Sequence, residues 1–237
     1  MFLSISNLKI HLGQKDILNQ LSISFRLNGH ITGLLGPNGA GKSTLFKCIT
    51  GFERGYHGKI FLDKKDLSPL TPSKRTQEGI GYLPQESWLF QDMSVYQNLL
   101  IYCELLNQNR NVSSHELENS LNKMSISHLK DEKALNLSGG EKRRLEFSRI
   151  LLYKPTILLL DEPFAGVDPK TISEISEIVK DLANQGISIV ISDHHAEKIF
   201  HLADEVTVMH QGNLIETGSV DKILKSKEVK DIYLGTL

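Results

Sequence analysis

The sequence predicts an α/β fold: a mostly parallel β-sheet with helices on both faces. Short apolar runs of strand length recur along it, among them Ile31-Thr-Gly-Leu-Leu35, Thr156-Ile-Leu-Leu-Leu160 and Ile187-Ser-Ile-Val-Ile191. Between the last two, Ile172, Ile175, Val179 and Leu182 step by three, four and three, which is helical spacing. The first run leads into a glycine-rich loop and a helix. Strands that alternate with helices pair in parallel, because each crossover helix must pack back on the sheet.

Taken in order, Phe2, Ile5 and Leu8 are spaced too irregularly to assign, whereas Leu21, Ile23, Phe25 and Leu27 alternate strictly, as in a half-buried strand. A helix is predicted over 44–50, stopped by Gly51, and a strand over Lys59–Leu62. From Gln85 to Lys154 the chain reads as mostly helical, with Leu99, Leu100, Tyr102, Cys103 and Leu106 on one face and a polar loop at 107–114. Pro155 breaks the chain before the strand at 156–160, and Gly186 ends the helix of Ile172–Leu182. Turns at Gly212 and Gly218 and a short helix at Val220–Lys225 close the sequence.

The 237 residues are 40% apolar and 23% charged, an ordinary globular balance. Lys+Arg is 27 against Asp+Glu 28, so no basic field argues for nucleic acid and no polybasic tract for lipid headgroups. Cys48 and Cys103 make no metal or redox spacing, which suits a reducing cytosol. The start, MFLSISNLKIHLGQ, lacks a signal-peptide pattern. No apolar run approaches the roughly 20 residues a membrane span needs, so a membrane role would require docking on other subunits.

Gly36-Pro37-Asn38-Gly39-Ala40-Gly41-Lys42-Ser43-Thr44 fits the pattern G-x-x-x-x-G-K-[ST] between a strand and a helix. Small residues let successive backbone N–H groups face phosphate oxygens, and the helix adds its positive end. Lys42 can reach the terminal phosphates, and the Ser43 hydroxyl can ligate Mg²⁺. Downstream, Asp161 and Glu162 end a buried strand, where ligands bind in parallel sheets. Asp161 is expected to hold Mg²⁺, directly or through water, and Glu162 to polarise the attacking water as general base. These features indicate a P-loop NTPase without saying which.

Leu137-Ser138-Gly139-Gly140-Glu141 adds a second helix start before a charged helix. Ser138 and Glu141 form a capping box, while Gly139 and Gly140 leave backbone N–H groups open to a phosphate. One chain already holds a phosphate cradle, so a second invites the nucleotide of a partner. With GPNGAGKST, a lone Gln85, LSGGE, LLLDEP, Gly166-Val167-Asp168 and a late histidine in this order, the sequence resembles the ABC ATPase family over nearly its whole length.

That resemblance implies one nucleotide-binding domain. It would have a RecA-like P-loop core with a small antiparallel β subdomain (about 1–84 and 155–237) and a helical subdomain (about 85–154). It implies ATP hydrolysis with Mg²⁺ by two copies that sandwich two ATP molecules, each between 36–44 of one copy and Ser138, Gly139 and Gly140 of the other. Gln85 would contact Mg²⁺ or the attacking water, Asp168 would lie at the dimer interface, and His194, rather than His195, would bond the γ-phosphate. Where the family offers an aromatic to stack on adenine, this chain has His11-Leu12-Gly13, leaving His11 and Leu12 as alternatives.

Finer matches lie in GIGYLPQE (79–86), Met93-Ser-Val-Tyr-Gln-Asn98, DEPFAGVDP (161–169), Ser192-Asp-His194 and a tail over 229–235. They resemble the ATPase subunits of lipopolysaccharide-export transporters, which sit on the cytoplasmic face of the inner membrane. Two transmembrane permease subunits would then dock in a groove near Trp88, Leu89 and Phe90. The family places basic residues after this phenylalanine; this chain has Gln91 and Asp92. The ATPase of a branched-chain amino-acid importer is the nearest alternative. A non-transport ABC ATPase is disfavoured by the single cassette and by the lack of an extended heptad stretch. A GTPase is disfavoured because Asn122-Lys-Met-Ser125 lacks the base-reading aspartate of N-K-x-D.

Overall fold

The computed structural model describes residues 1–13, 15–106, 112–194 and 196–232. Gln14, segment 107–111, His195, the Leu105 and Leu106 side chains and the tail after Ile232 lie outside the described residues.

The chain opens with a β-hairpin, β1 (Phe2–Leu12) and β2 (Lys15–Arg26). Bulges between Ile5 and Leu8 and again up to His11 break the register of β1, and Asn7 sits there at φ 49°. Each bulge flips the side-chain alternation, which accounts for the irregular apolar spacing. β2 keeps its alternation, with Leu21, Ile23 and Phe25 buried. After β3 (Ile31–Leu35) and α1 (Lys42–Thr50) come β4 (His57–Leu62) and β5 (Lys65–Asp66). Together β2-β1-β4-β5 form a four-stranded antiparallel sheet.

Next come α2 (Pro72–Gln77), β6 (Ile80–Leu83), α3 (Val95–Leu106), α4 (Ser114–Lys123) and α5 (Gly139–Leu151). They lead to β7 (Ile157–Asp161), α6 (Pro169–Asn184), β8 (Ser188–Ser192), α7 (Ala196–Leu202), β9 (Glu205–His210) and β10 (Asn213–Gly218). Two short helices, α8 (Val220–Lys225) and α9 (Lys227–Ile232), close the described chain. The second sheet has six strands in the order β10-β9-β3-β8-β7-β6, parallel except for the β9–β10 pair. β3, β7 and β8 are buried at every residue, as strands covered on both faces must be.

Two details differ from the sequence reading. Val95, Leu99 and Cys103 form the buried stripe of α3, but Leu100 is 36% exposed, one position off that face. Gly218 is the last residue of β10, whereas Gly212 makes a left-handed turn at φ 76°. Both cysteines are buried. Burial pushes the Cys48 thiol up to about 12, so it is inert as a nucleophile.

Arg75 of α2 is fully buried with no carboxylate beside it among its hydrogen-bond partners. Its guanidinium donates to the carbonyls of Cys48 (2.6 Å), Ile49 (2.9 Å), Leu70 (3.1 Å) and Ser68 (3.1 Å) and to the Tyr56 hydroxyl (2.9 Å). The first two lie in the last turn of α1, where a cation suits the helix dipole, and the Cys48 carbonyl also accepts from the Gly51 N–H (3.2 Å). Arg75→Ala takes one donor away from each of these acceptors. We expect a loss of about 3 kcal/mol, read in a thermal melt as a fall of about 6–12 °C.

Candidate nucleotide site

The loop 36–41 joins β3 to α1. Gly36 adopts φ 151°, and a Cβ there would stand 2.1 Å from the Met209 carbonyl oxygen, so only glycine fits against β9. The loop delivers Lys42, nine-tenths buried, whose Nζ donates to the carbonyls of Gly36 (2.6 Å) and Pro37 (3.1 Å). Burial pushes the ammonium below its ordinary range, and Glu162, Asp161 and Asp193 oppose that shift. A buried cation hydrogen-bonded to carbonyls is poised for an anion.

A cavity of about 230 Å³ lies over this loop, lined by Ile17, Asn38, Gly39, Ala40, Gly41, Lys42, Ser43, Thr44 and Glu162. Ile17 comes from β2 and belongs to no motif, so no local signal marks it as part of the site. The Gly212 turn fastens this wall to the loop. Its N–H donates to the Ala40 carbonyl and its own carbonyl accepts from the Asn19 N–H, both at 3.0 Å. A Cβ at Gly212 would meet the Ile17 carbonyl at 2.3 Å.

The end of β7 supplies the carboxylates. Asp161 Oδ1 accepts from Ser43 Oγ (3.1 Å) and from Ser192 Oγ at the end of β8 (2.7 Å), and Oδ2 accepts from the Tyr82 hydroxyl (3.3 Å). Glu162 turns out of the strand at φ 46°, rare for a non-glycine residue, with its N–H on the Ser192 carbonyl (2.9 Å). Its Oε2 accepts from Gln85 Nε2 (2.8 Å) and lies 3.7 Å from His194 Nδ1. The structure thus groups Ser43 with Asp161, and Gln85 and His194 with Glu162. Arg143 of α5, buried, donates to the carbonyls of Pro84 (3.2 Å) and Glu162 (3.3 Å) and to Glu146 (2.8 Å). It ties the segment before Gln85 to the Glu162 backbone. In sequence it looks like one more surface charge in Glu141-Lys-Arg-Arg144.

Ser138, Gly139 and Gly140 begin α5 but are not among the residues lining the cavity. The Ser138 hydroxyl and N–H donate to Glu141 Oε2 (2.7 and 2.8 Å), and these bonds hold the Glu141 carboxyl below its ordinary range. Among the described residues, nothing lies within 4 Å of where a Cβ on Gly139 would stand, so the helix start is open. Asp168 caps α6, accepting from Lys170 N (3.0 Å), Thr171 N (3.1 Å) and Thr171 Oγ1 (2.6 Å). The Thr171 bonds hold its carboxyl low. At the tip of the hairpin, His11 pairs with Asp16, while Leu12 is exposed.

The ABC transporter family model matches residues 18–165, more than half of the chain, from β2 to beyond the carboxylate pair. The chain belongs to the ABC transporter family. As an ATP-binding cassette of that family it binds nucleotide and hydrolyses ATP. Chains of this family work as dimers with transmembrane partner subunits. This ABC cassette is 39% identical to the lipopolysaccharide export system ATP-binding protein LptB of Haemophilus influenzae, over 98% of this chain and 97% of that one. It is also 39% identical to LptB of Escherichia coli K12, over 90% and 89%. A solved ATP-binding cassette of an ABC transporter in its ADP conformation superposes with a TM-score of 0.87 at 30% identity, covering 99% of this cassette and 98% of that chain.

A second cavity of the cassette, about 400 Å³, is a groove lined by Phe52, Arg75, Tyr82, Trp88, Tyr102 and Arg149, among others. Trp88 is 48% exposed at its edge. Leu89, expected beside it, is instead buried in the core, and Phe90 is exposed without lining the groove. Among the described residues, no helix is long and apolar enough to cross a membrane.

Proposed function

We propose that this chain is the ATP-hydrolysing subunit that energises lipopolysaccharide extraction and export from the inner membrane. Support for the cargo comes from the near full-length match to two LptB proteins. The observation that carries the chemistry is the end of β7, where Asp161 stands beside Ser43 and Glu162 beside Gln85 and His194.

Two copies would bind two ATP molecules at their shared face. Residues 36–44 of one copy hold each triphosphate, and Ser138, Gly139 and Gly140 of the other cover it. The openness at Gly139 and the absence of 138–140 from the cavity lining support a trans arrangement. Asp168 would face the partner copy at the same interface. Ser43 and Asp161 present a hydroxyl and a carboxylate, hard oxygen donors that fit Mg²⁺, with Gln85 as a further oxygen donor. Substrate phosphates would complete the shell of such an ion. Bound there, Mg²⁺ would neutralise charge developing on the phosphates.

Glu162 takes the proton of the attacking water, and Gln85 orients its carboxylate through the 2.8 Å bond. Lys42 gives up its carbonyl partners for phosphate oxygens, and His194 donates to the γ-phosphate as charge builds. Loss of the γ-phosphate removes contacts made only in the closed dimer, so the dimer opens.

The groove would seat a short helix of each of two transmembrane subunits, holding the chain at the cytoplasmic face of the inner membrane. Native purification tests this reading. Two membrane subunits with a periplasmic domain should accompany the chain, and lipopolysaccharide should stimulate turnover of the complex. Recovery with amino-acid permease subunits would overturn it.

A further inference from the structure

Tyr82 stands between the groove and the carboxylate at the end of β7. Its ring lines the groove and meets the rings of Trp88 (5.9 Å, edge-on), Phe52 (6.2 Å) and Phe46 (6.3 Å). Its hydroxyl points the other way, onto Asp161 Oδ2. The strands explain the reach. β6 and β7 are neighbours in parallel, with Tyr82 opposite Leu159, so the phenol extends two residues along β7 to Asp161. The other oxygen of Asp161 is held by Ser43 of the phosphate loop and Ser192 of β8. One carboxylate therefore answers to the nucleotide cradle on one side and to an aromatic wall of the groove on the other.

We propose that Tyr82 is a positioning residue that couples the seating of a partner helix in the groove to the aim of the Asp161 carboxylate. The inference rests on the preceding reading of Asp161 as a metal ligand and of the groove as a docking site. A helix that seats in the groove must pack on Phe52 and Trp88, the exposed members of the aromatic cluster. Rings in edge-to-face contact move together, and the phenol is rigid, so its oxygen moves with the ring. At 3.3 Å the bond to Asp161 is long, and a small shift either tightens or breaks it. Coupling is reciprocal, so metal binding at Asp161 must register in the groove.

Trp88 is the only tryptophan in the chain and touches both Tyr82 and Phe52, so its emission reports on the groove. The experiment titrates Mg²⁺ into the ADP-saturated full chain, following Trp88 emission and, independently, metal binding by calorimetry. Addition of Mg²⁺ should shift the emission of the parent. Tyr82→Phe should still bind ADP and Mg²⁺ yet lose that shift. No shift in the parent, or a parent-like shift in Tyr82→Phe, would overturn the inference.

Asp161→Asn separates the two layers. If it binds Mg²⁺ as the parent does, the metal reading fails and the coupling with it. If it loses Mg²⁺ while Tyr82→Phe keeps the emission shift, the coupling alone fails. Should Tyr82→Phe fold poorly, Phe52→Ala removes one wall of the ring at an exposed position. Its Mg²⁺ midpoint should move about twofold to tenfold, as the loss of one aromatic pair implies, and an unmoved midpoint would overturn the proposal.

Discussion

Glu162→Gln is expected to lower ATP turnover by about 100- to 10,000-fold, the contribution of a positioned general base, while ATP still binds. The amide keeps the shape of the side chain and can still accept from Gln85 through its oxygen, but it cannot take a proton. It also removes a negative charge from the cavity that would face the γ-phosphate. ATP should therefore persist, and the closed dimer should accumulate. Size-exclusion chromatography with ATP and Mg²⁺ would show the dimer, and a phosphate-release assay the loss. Turnover at the parent rate would mean that another group activates the water.

Ser138→Arg is expected to abolish steady-state hydrolysis, a loss of about 100-fold or more if the trans phosphate contacts vanish together. The cavity over residues 38–44 has no wall from Ser138, so nucleotide affinity of the isolated chain should stay near that of the parent. The substitution also breaks the capping box with Glu141, a local loss of about 1 kcal/mol that a folded chain of this size tolerates. The decisive measurement combines the two changes. In the Glu162→Gln chain, Ser138→Arg should suppress the ATP-driven dimer. A persisting dimer would place the signature helix away from the nucleotide.

Much of this was legible from residue order. Strands buried on both faces read as unbroken apolar runs, and the observed limits of β3, β7 and β8 fall within one residue of those runs. The phosphate loop, the β7 carboxylates and the Ser138 capping box announce themselves because their chemistry needs fixed spacing along one segment. The rest depends on contacts between segments. β1 escaped assignment because its bulges reset the alternation. Arg75 and Arg143 carry no local signal of their roles, since nothing nearby in sequence shows that carbonyls from distant turns surround them. The groove draws on residues from Thr50 to Ile150, and Ile17 enters the nucleotide cavity only because the hairpin folds over the loop.

The turn at Gly212 has a consequence for how this cassette meets its ligand. Its two backbone bonds and its close approach to Ile17 lock the Ile17 wall and the phosphate loop at one separation. Under the proposed reading, they act as the fixed jaws of a calliper. Whatever the sugar and base do against Ile17, the chain of phosphates meets Lys42 at an unchanging offset. Adjustment must then come from the second copy, so a triphosphate differs from a diphosphate chiefly in whether it spans the gap to that copy.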